Sequence, residues 1–184
     1  MSHHFVATTS KGLEPVLADE LRSYGIGVDA VGRGVVYFVG KLEVGYRACL
    51  WSRIASRVIL RVGRGRVDSP EAIYALASQV DWADHLDPNQ TLLVDFVGRG
   101  KGISNAVFGA QRVKDAVVDA LRTDSGQRPD VDFDQPDVRI SAHLNRGSLT
   151  LGIDLSGSAL HKRGKGRVAG HAPLKESLAA AVLH

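Results

Sequence analysis

"HHFVATTSKGLEPVLADELRSYG", residues 3–25, decides the fold. Its opening, "HHFVATT", is a short run with β-branched and aromatic residues and reads as a strand. Leu13, Val16, Leu17, Leu21 and Tyr24 then recur at helical spacing. Pro15 has no N–H and fits only in a first helical turn, which sets the helix start near Gly12. Gly25 is a natural stop. Working outward, "GVDAVG" and "GVVYFVG" read as two strands around the turn "GRG", "LEVGYRACLWSRIAS" as a second helix, and "RVILRVGRGRV" as a fourth strand. Strand, helix, strand, strand, helix, strand is the split βαβ order of a ferredoxin-like unit, closing near residue 67.

A second block begins at "DSPEAIYALASQVDW", where Asp68 or Ser69 caps a helix with Pro70 in its first turn. "TLLVDFVG" reads as a strand. Ser104 is then expected to cap a long helix with an inward stripe of Ala106, Ala110, Val113, Val117 and Leu121. "TDSGQRPDVDFDQP" is a polar loop, and "DVRISAHLN" and "SLTLGIDLS" read as a hairpin joined at "NRGS". The class is α+β. The expected boundaries are 1–67, 68–160, a basic linker at 161–172 and a last helix at 173–184.

Composition sets the outer limits. The 184 residues are 44% hydrophobic, 23% charged and 6% aromatic, which forms cores and excludes a disordered chain. The net charge of +3 permits a nucleic-acid partner without requiring one. The single cysteine, Cys49, rules out an internal disulfide and reads as a small core residue. No signal peptide and no run of about 18 apolar residues is visible, so no membrane is expected and the location expected is cytoplasmic.

Several motifs tempt. "VGRGKGIS" follows a strand and opens a helix, but its spacing is G-x-G-x-G; a flexible turn, an RNA-phosphate contact through Arg99, Lys101 and open amides, and a nucleotide cradle are the readings it leaves. "DVDFD" puts Asp130, Asp132 and Asp134 on one side of an extended segment. A calcium loop would need glycine where Gln135 stands and glutamate where Ser141 stands. His3 and His4 alternate across a strand and cannot share a metal. No catalytic, cofactor-binding or metal-ligating residue is assigned.

The cations say more. Arg99 and Lys101 flank the glycine turn, followed by Asn105. Arg112 and Lys114 lie on the long helix but roughly 200° apart around its axis, and Arg112 has Asp115 one turn on. Lys162, Arg163, Lys165 and Arg167 are spaced by glycines with no acid before Glu176. That neck reads either as a solvated linker or as a segment that contacts phosphates. These nine residues are the candidate RNA-binding set.

"ATTSKGLEPVLADEL", "LWSRIASRVIL", "FGAQRVKDAVVDAL", "IDLSGSALHKRG" and "GHAPLKESLAAAVL" together resemble the N-terminal part of bacterial 23S rRNA guanine-N2 methyltransferases. The resemblance covers essentially the whole chain, in family order. It implies a ferredoxin-like subdomain, then a THUMP RNA-binding domain, then a C-terminal methyltransferase domain that uses S-adenosylmethionine. The family's glycine-rich cofactor loop and its N-P-P-[YF] tetrapeptide are not in these residues. By the resemblance, "APLKESLAAAVLH" is the first helix of the methyltransferase domain, truncated, with an apolar face including Leu174, Leu178, Ala181 and Val182. The implied role is to grip 23S rRNA while the catalytic domain of the same parent chain acts. No cofactor is expected in this part. A stand-alone nucleotide-binding enzyme and a protein-interaction module are the alternatives.

Overall fold

A computed structural model describes residues 1–103, 105–126, 128–162 and 174–184. They form two units: residues 1–60 with 155–184, and residues 61–154.

The first unit contains β1 (His3–Thr8), α1 (Glu14–Ser23), β2 (Val28–Gly32), β3 (Val35–Gly40), α2 (Leu42–Trp51) and the start of β4 (Arg57–Arg66). The strand order is β2-β3-β1-β4, as the ferredoxin-like reading expects. β1 and β3 pair antiparallel with Phe5 opposite Phe38. Their rings stack at 5.0 Å. Pro15 sits in the first turn of α1, and Leu17, Ala18 and Leu21 are buried beneath it.

Two carboxylates hold this unit's loops. Glu14 accepts from the backbone N–H of Gly12 at 2.7 Å and of Gly34 at 2.6 Å, joining the start of α1 to the β2–β3 turn. Glu20 is fully buried and accepts from Ser52 Oγ at 2.5 Å, Arg53 N at 2.9 Å and Ile54 N at 3.3 Å. These bonds explain why α2 stops at Trp51 instead of running on through "SRIAS": Ser52 is extended, and the amides of Arg53 and Ile54 that follow serve Glu20 instead of a helix. Cys49 is half-buried rather than a full core residue.

Residues 155–162 also belong to this unit, with Leu155 N donating to Val58 O at 2.9 Å and Leu160 N to Ser56 O at 2.9 Å. The last helix, α5 (Glu176–Val182), buries Ser177 completely; Leu178 and Ala181 are half-buried, while Leu174 and Val182 are exposed. Two of the four residues named on the apolar face are therefore partly covered.

The second unit contains residues 61–66 of β4, then α3 (Pro70–Ala77), β5 (Leu92–Gly98), α4 (Ala106–Ser125), β6 (Val138–Asn145) and β7 (Ser148–Asp154). The order is β4-β7-β6-β5. β5 and β6 run parallel, and β6 and β7 antiparallel. Alternation sends Val94, Phe96, Ile140, Ala142, Leu144, Leu149 and Leu151 to one face, where they join Ile73, Ala77, Val113, Val117 and Leu121 in one core. Burying each of the larger side chains (valine, leucine, isoleucine or phenylalanine) is worth about 1.5–3 kcal/mol. In the expected α4 stripe Ala110 is half-buried and Ala106 exposed, while Ala116 and Val118 join the buried set. α4 lies close over β5 because residue 109 is glycine: a Cβ there would stand 2.7 Å from the Phe96 ring. "DVDFD" is extended only at its start, where Val131 bridges Leu92 in parallel. Asp132 Oδ1 accepts from the backbone of Asp134 and Gln135 at 2.8 and 3.0 Å, which curls the chain. Among the described residues no group of three metal-ligating side chains comes together.

Candidate nucleic-acid interface

The glycine turn is built at the end of β5. Gly98, opposite Leu144 on β6, has φ +122°; a Cβ there would fall on the Leu144 carbonyl oxygen. The chain then doubles back. Gly100 N donates to Ile103 O at 3.2 Å and Ile103 N to Gly100 O at 3.0 Å. Those two amides are spent on each other, which removes them from the set of open amides expected for phosphate. Ile103 is buried and anchors the turn, leaving Arg99 and Lys101 exposed at its corners. Neither is in an ion pair among the described residues.

Asn105, not Ser104, is the residue shown capping α4: its side chain accepts from Phe108 N at 2.7 Å. Ser104 lies outside the described residues. The first turn of α4 carries no acid, and Ala106, Val107 and Phe108 are exposed. The positive end of the helix dipole and the two cations of the turn thus stand side by side.

The two cations farther along α4 are occupied. Arg112 does not reach Asp115. Its Nη2 lies 3.9 Å from Glu71 on α3, its guanidinium sits 5.8 Å from the centre of the Phe108 ring, and its Nε is buried without a hydrogen-bond partner. Glu71 is held below its ordinary carboxylate range by its own backbone N–H, then the Ser69 hydroxyl and, more weakly, the Arg112 charge. Lys114 pairs with Asp115 at 2.7 Å. Arg112 braces α4 against α3, and Lys114 has its charge balanced locally.

Lys162 ends a 3-10 turn at Leu160–Lys162 in the first unit and is exposed. Arg163, Lys165 and Arg167 lie outside the described residues. Sequence reasoning passed over Arg64, Arg66 and Arg146, all exposed. The available signal was "VGRGRV" at residues 62–67, which repeats the pattern of "VGRGKG" at 97–102.

A ferredoxin-like βαββαβ unit followed by a second α/β unit defines a two-domain α+β class, here with an exposed basic turn between a strand and a helix of the second unit. Comparison with known families makes the class particular. Residues 4–59 match the RlmL ferredoxin-like domain and residues 67–154 the THUMP domain, so the chain carries these two domains in succession. It is 51% identical over 176 residues to Ribosomal RNA large subunit methyltransferase K/L of Pseudomonas aeruginosa, covering 96% of this chain and 24% of that protein. It is 46% identical to the protein of the same name from Methylococcus capsulatus, covering 100% and 25%. The chain thus spans about a quarter of the length of the curated relatives it matches.

Among solved structures, a Listeria monocytogenes protein described as a predicted N6-adenine-specific DNA methylase superposes with a TM-score of 0.87 at 29% identity, over 100% of this chain and 48% of its own. A putative methyltransferase complexed with SAH gives 0.84 at 28% identity, over 99% and 48%.

Proposed function

We propose that this chain is the RNA-binding part of an rRNA methyltransferase, gripping structured large-subunit rRNA so that a C-terminal methyltransferase domain of the same parent chain can reach one guanine. The observation that carries this reading is the exposed, unpaired basic turn on a THUMP domain, in a chain similar over nearly its full length to K/L methyltransferases. The parent reaction in this reading is methyl transfer from S-adenosylmethionine to guanine N2, in the cytoplasm. The SAH held by one structural relative supports that cofactor.

The role of this part is positional. Binding energy won far from the reacting atom orients the target and spares the catalytic domain an entropic cost. The cations proposed to touch RNA are Arg99, Lys101 and Lys162, with Arg163, Lys165 and Arg167 of the neck. Asn105 would hold the amides of α4 in place; Arg112 and Lys114 would contribute less, being already paired. Side chains do not reach bases through the narrow A-form major groove, so shape and phosphates would be read.

Filter binding tests the reading, with a large-subunit rRNA hairpin set against an unstructured RNA of equal length. Preference for the hairpin supports it; equal binding to both refutes the claim for structured RNA. Calorimetric titration with S-adenosylmethionine should give no micromolar binding to this chain. Such binding would favour the stand-alone enzyme.

A further inference from the structure

We propose that Arg64, Arg66 and Arg146 complete, with Arg99 and Lys101, a single phosphate-binding edge for RNA at one end of the second unit's sheet. The proposal rests on the RNA-binding reading above and extends it to residues on two further segments.

The sheet brings these segments together although they are distant in sequence. Gly98, just before Arg99, pairs with Leu144, two residues before Arg146. Val67 N donates to Gly147 O at 2.8 Å, so the end of β4 abuts the β6–β7 turn. The Arg66 guanidinium lies there too, 3.8 Å from where a Cβ on Gly147 would stand. The glycine turn touches the start of α3, since a Cβ on Gly102 would lie 3.2 Å from Pro70 Cδ, four residues after Arg66. The ends of β4 and β5 and the β6–β7 turn therefore form one edge.

Strand alternation aims the arginines of β4. Gly63 and Gly65 face the core side, where added Cβ atoms would meet Val80, just past α3, at 3.1 Å and Leu76 of α3 at 2.8 Å. Arg64 and Arg66, the alternate residues, must point to the opposite face, and both are exposed. Small residues under the helix and long cations away from it are one pattern with two results. Arg139 also projects from that face, but it is bound to Asp95 at 2.8 Å with its side chain only 18% exposed, and it is not part of the edge.

Charge at the edge is one-sided. Arg64, Arg66, Arg99, Lys101 and Arg146 are exposed, and none is in an ion pair among the described residues. Glu71 is engaged with Arg112, which leaves exposed Asp68 as the acid nearest to Arg66 in sequence. Four guanidinium groups suit phosphate, whose oxygens accept paired N–H bonds from one fork.

The test is a salt series of hairpin binding by the whole chain, comparing wild type with the triple variant Arg64→Gln, Arg66→Gln, Arg146→Gln and with the matching triple lysine variant. Loss of three phosphate contacts should make the slope of log K against log salt shallower by about 2 to 2.7 and weaken binding at least tenfold near ~0.1 M salt. The lysine variant should keep most of the slope, since charge is retained. Wild-type binding with an unchanged slope in the glutamine variant overturns the edge and leaves the RNA reading standing. Wild type without salt-dependent binding overturns the RNA reading itself. Should the triple variant fail to melt cooperatively, Arg146→Gln alone carries the test: one contact is about 0.7 to 0.9 of slope, and no change overturns the proposal.

Discussion

Gly98→Ala strikes the hinge on which the basic turn hangs. Its φ of +122° is one that side chains rarely adopt, and the new Cβ would collide with the Leu144 carbonyl oxygen, a backbone atom that cannot swing aside. Holding a non-glycine residue in such a conformation costs about 1–3 kcal/mol. Relieving the collision would break the last rung of the β5–β6 pairing, about 1 kcal/mol more. The sum is about 2–4 kcal/mol. Gly126→Ala is the internal control. Gly126 ends α4 at φ +73° with nothing within 4 Å of a new Cβ, so only the left-handed conformation, about 1–2 kcal/mol, is charged to it. Urea unfolding of both variants measures the difference. Gly98→Ala should be the more destabilised by about 1–2 kcal/mol and should also bind RNA more weakly, because Arg99 and Lys101 move with the turn. Equal destabilisation would refute the claim that contact with the Leu144 carbonyl fixes the turn.

Three further outcomes follow from the same geometry. Glu20→Ala should cost about 3–5 kcal/mol in denaturant unfolding, since it removes the buried acceptor of the Ser52 hydroxyl and of the Arg53 and Ile54 amides; a loss below about 1 kcal/mol would mean that the α2–β4 loop holds without it. The Glu14 carboxyl is held below the ordinary glutamate range, first by its own backbone N–H and then by that of Gly34. A depressed carboxylate stabilises the fold above its unfolded value and loses that contribution as pH falls through the folded value. Stability of wild type should therefore drop below about pH 4.5 more steeply than that of Glu14→Gln, and superimposable pH profiles would contradict this. Asn105→Ala should cost about 1 kcal/mol through loss of the α4 cap, read from urea unfolding, with no loss expected only if Asn105 does not cap in solution.

The ferredoxin-like unit was legible because its signals are local: Pro15 marks the start of α1, alternation marks β1 and β3, and the Arg33–Gly34 turn separates β2 from β3. The helix caps were legible where side chain and proline agree, as at Ser69 and Pro70. What escaped was non-local. No spacing rule shows that Glu20 would draw the backbone after Trp51 out of helix from 32 or more residues away. Periodicity placed Arg112 beside Asp115, whereas packing of α3 on α4 gave it Glu71. The turn cations Arg99 and Lys101 could be named from sequence, yet Arg64, Arg66 and Arg146 join them only once β4, β5 and the β6–β7 turn share one end of a sheet. Parallel pairing of β5 with β6 across α4 and a long loop cannot be read from alternation in either strand.

Salt dependence of hairpin binding by the unmodified chain tests the central claim most directly, because phosphate contact and protein–protein docking differ in it. With four to six contacts among the cations proposed in the turn and neck, log K should fall against log salt with a slope of roughly −3 to −5. Affinity for a large-subunit rRNA hairpin that stays constant between about 50 and 200 mM salt would contradict the account, and would turn the basic residues of this chain back into a solvated surface.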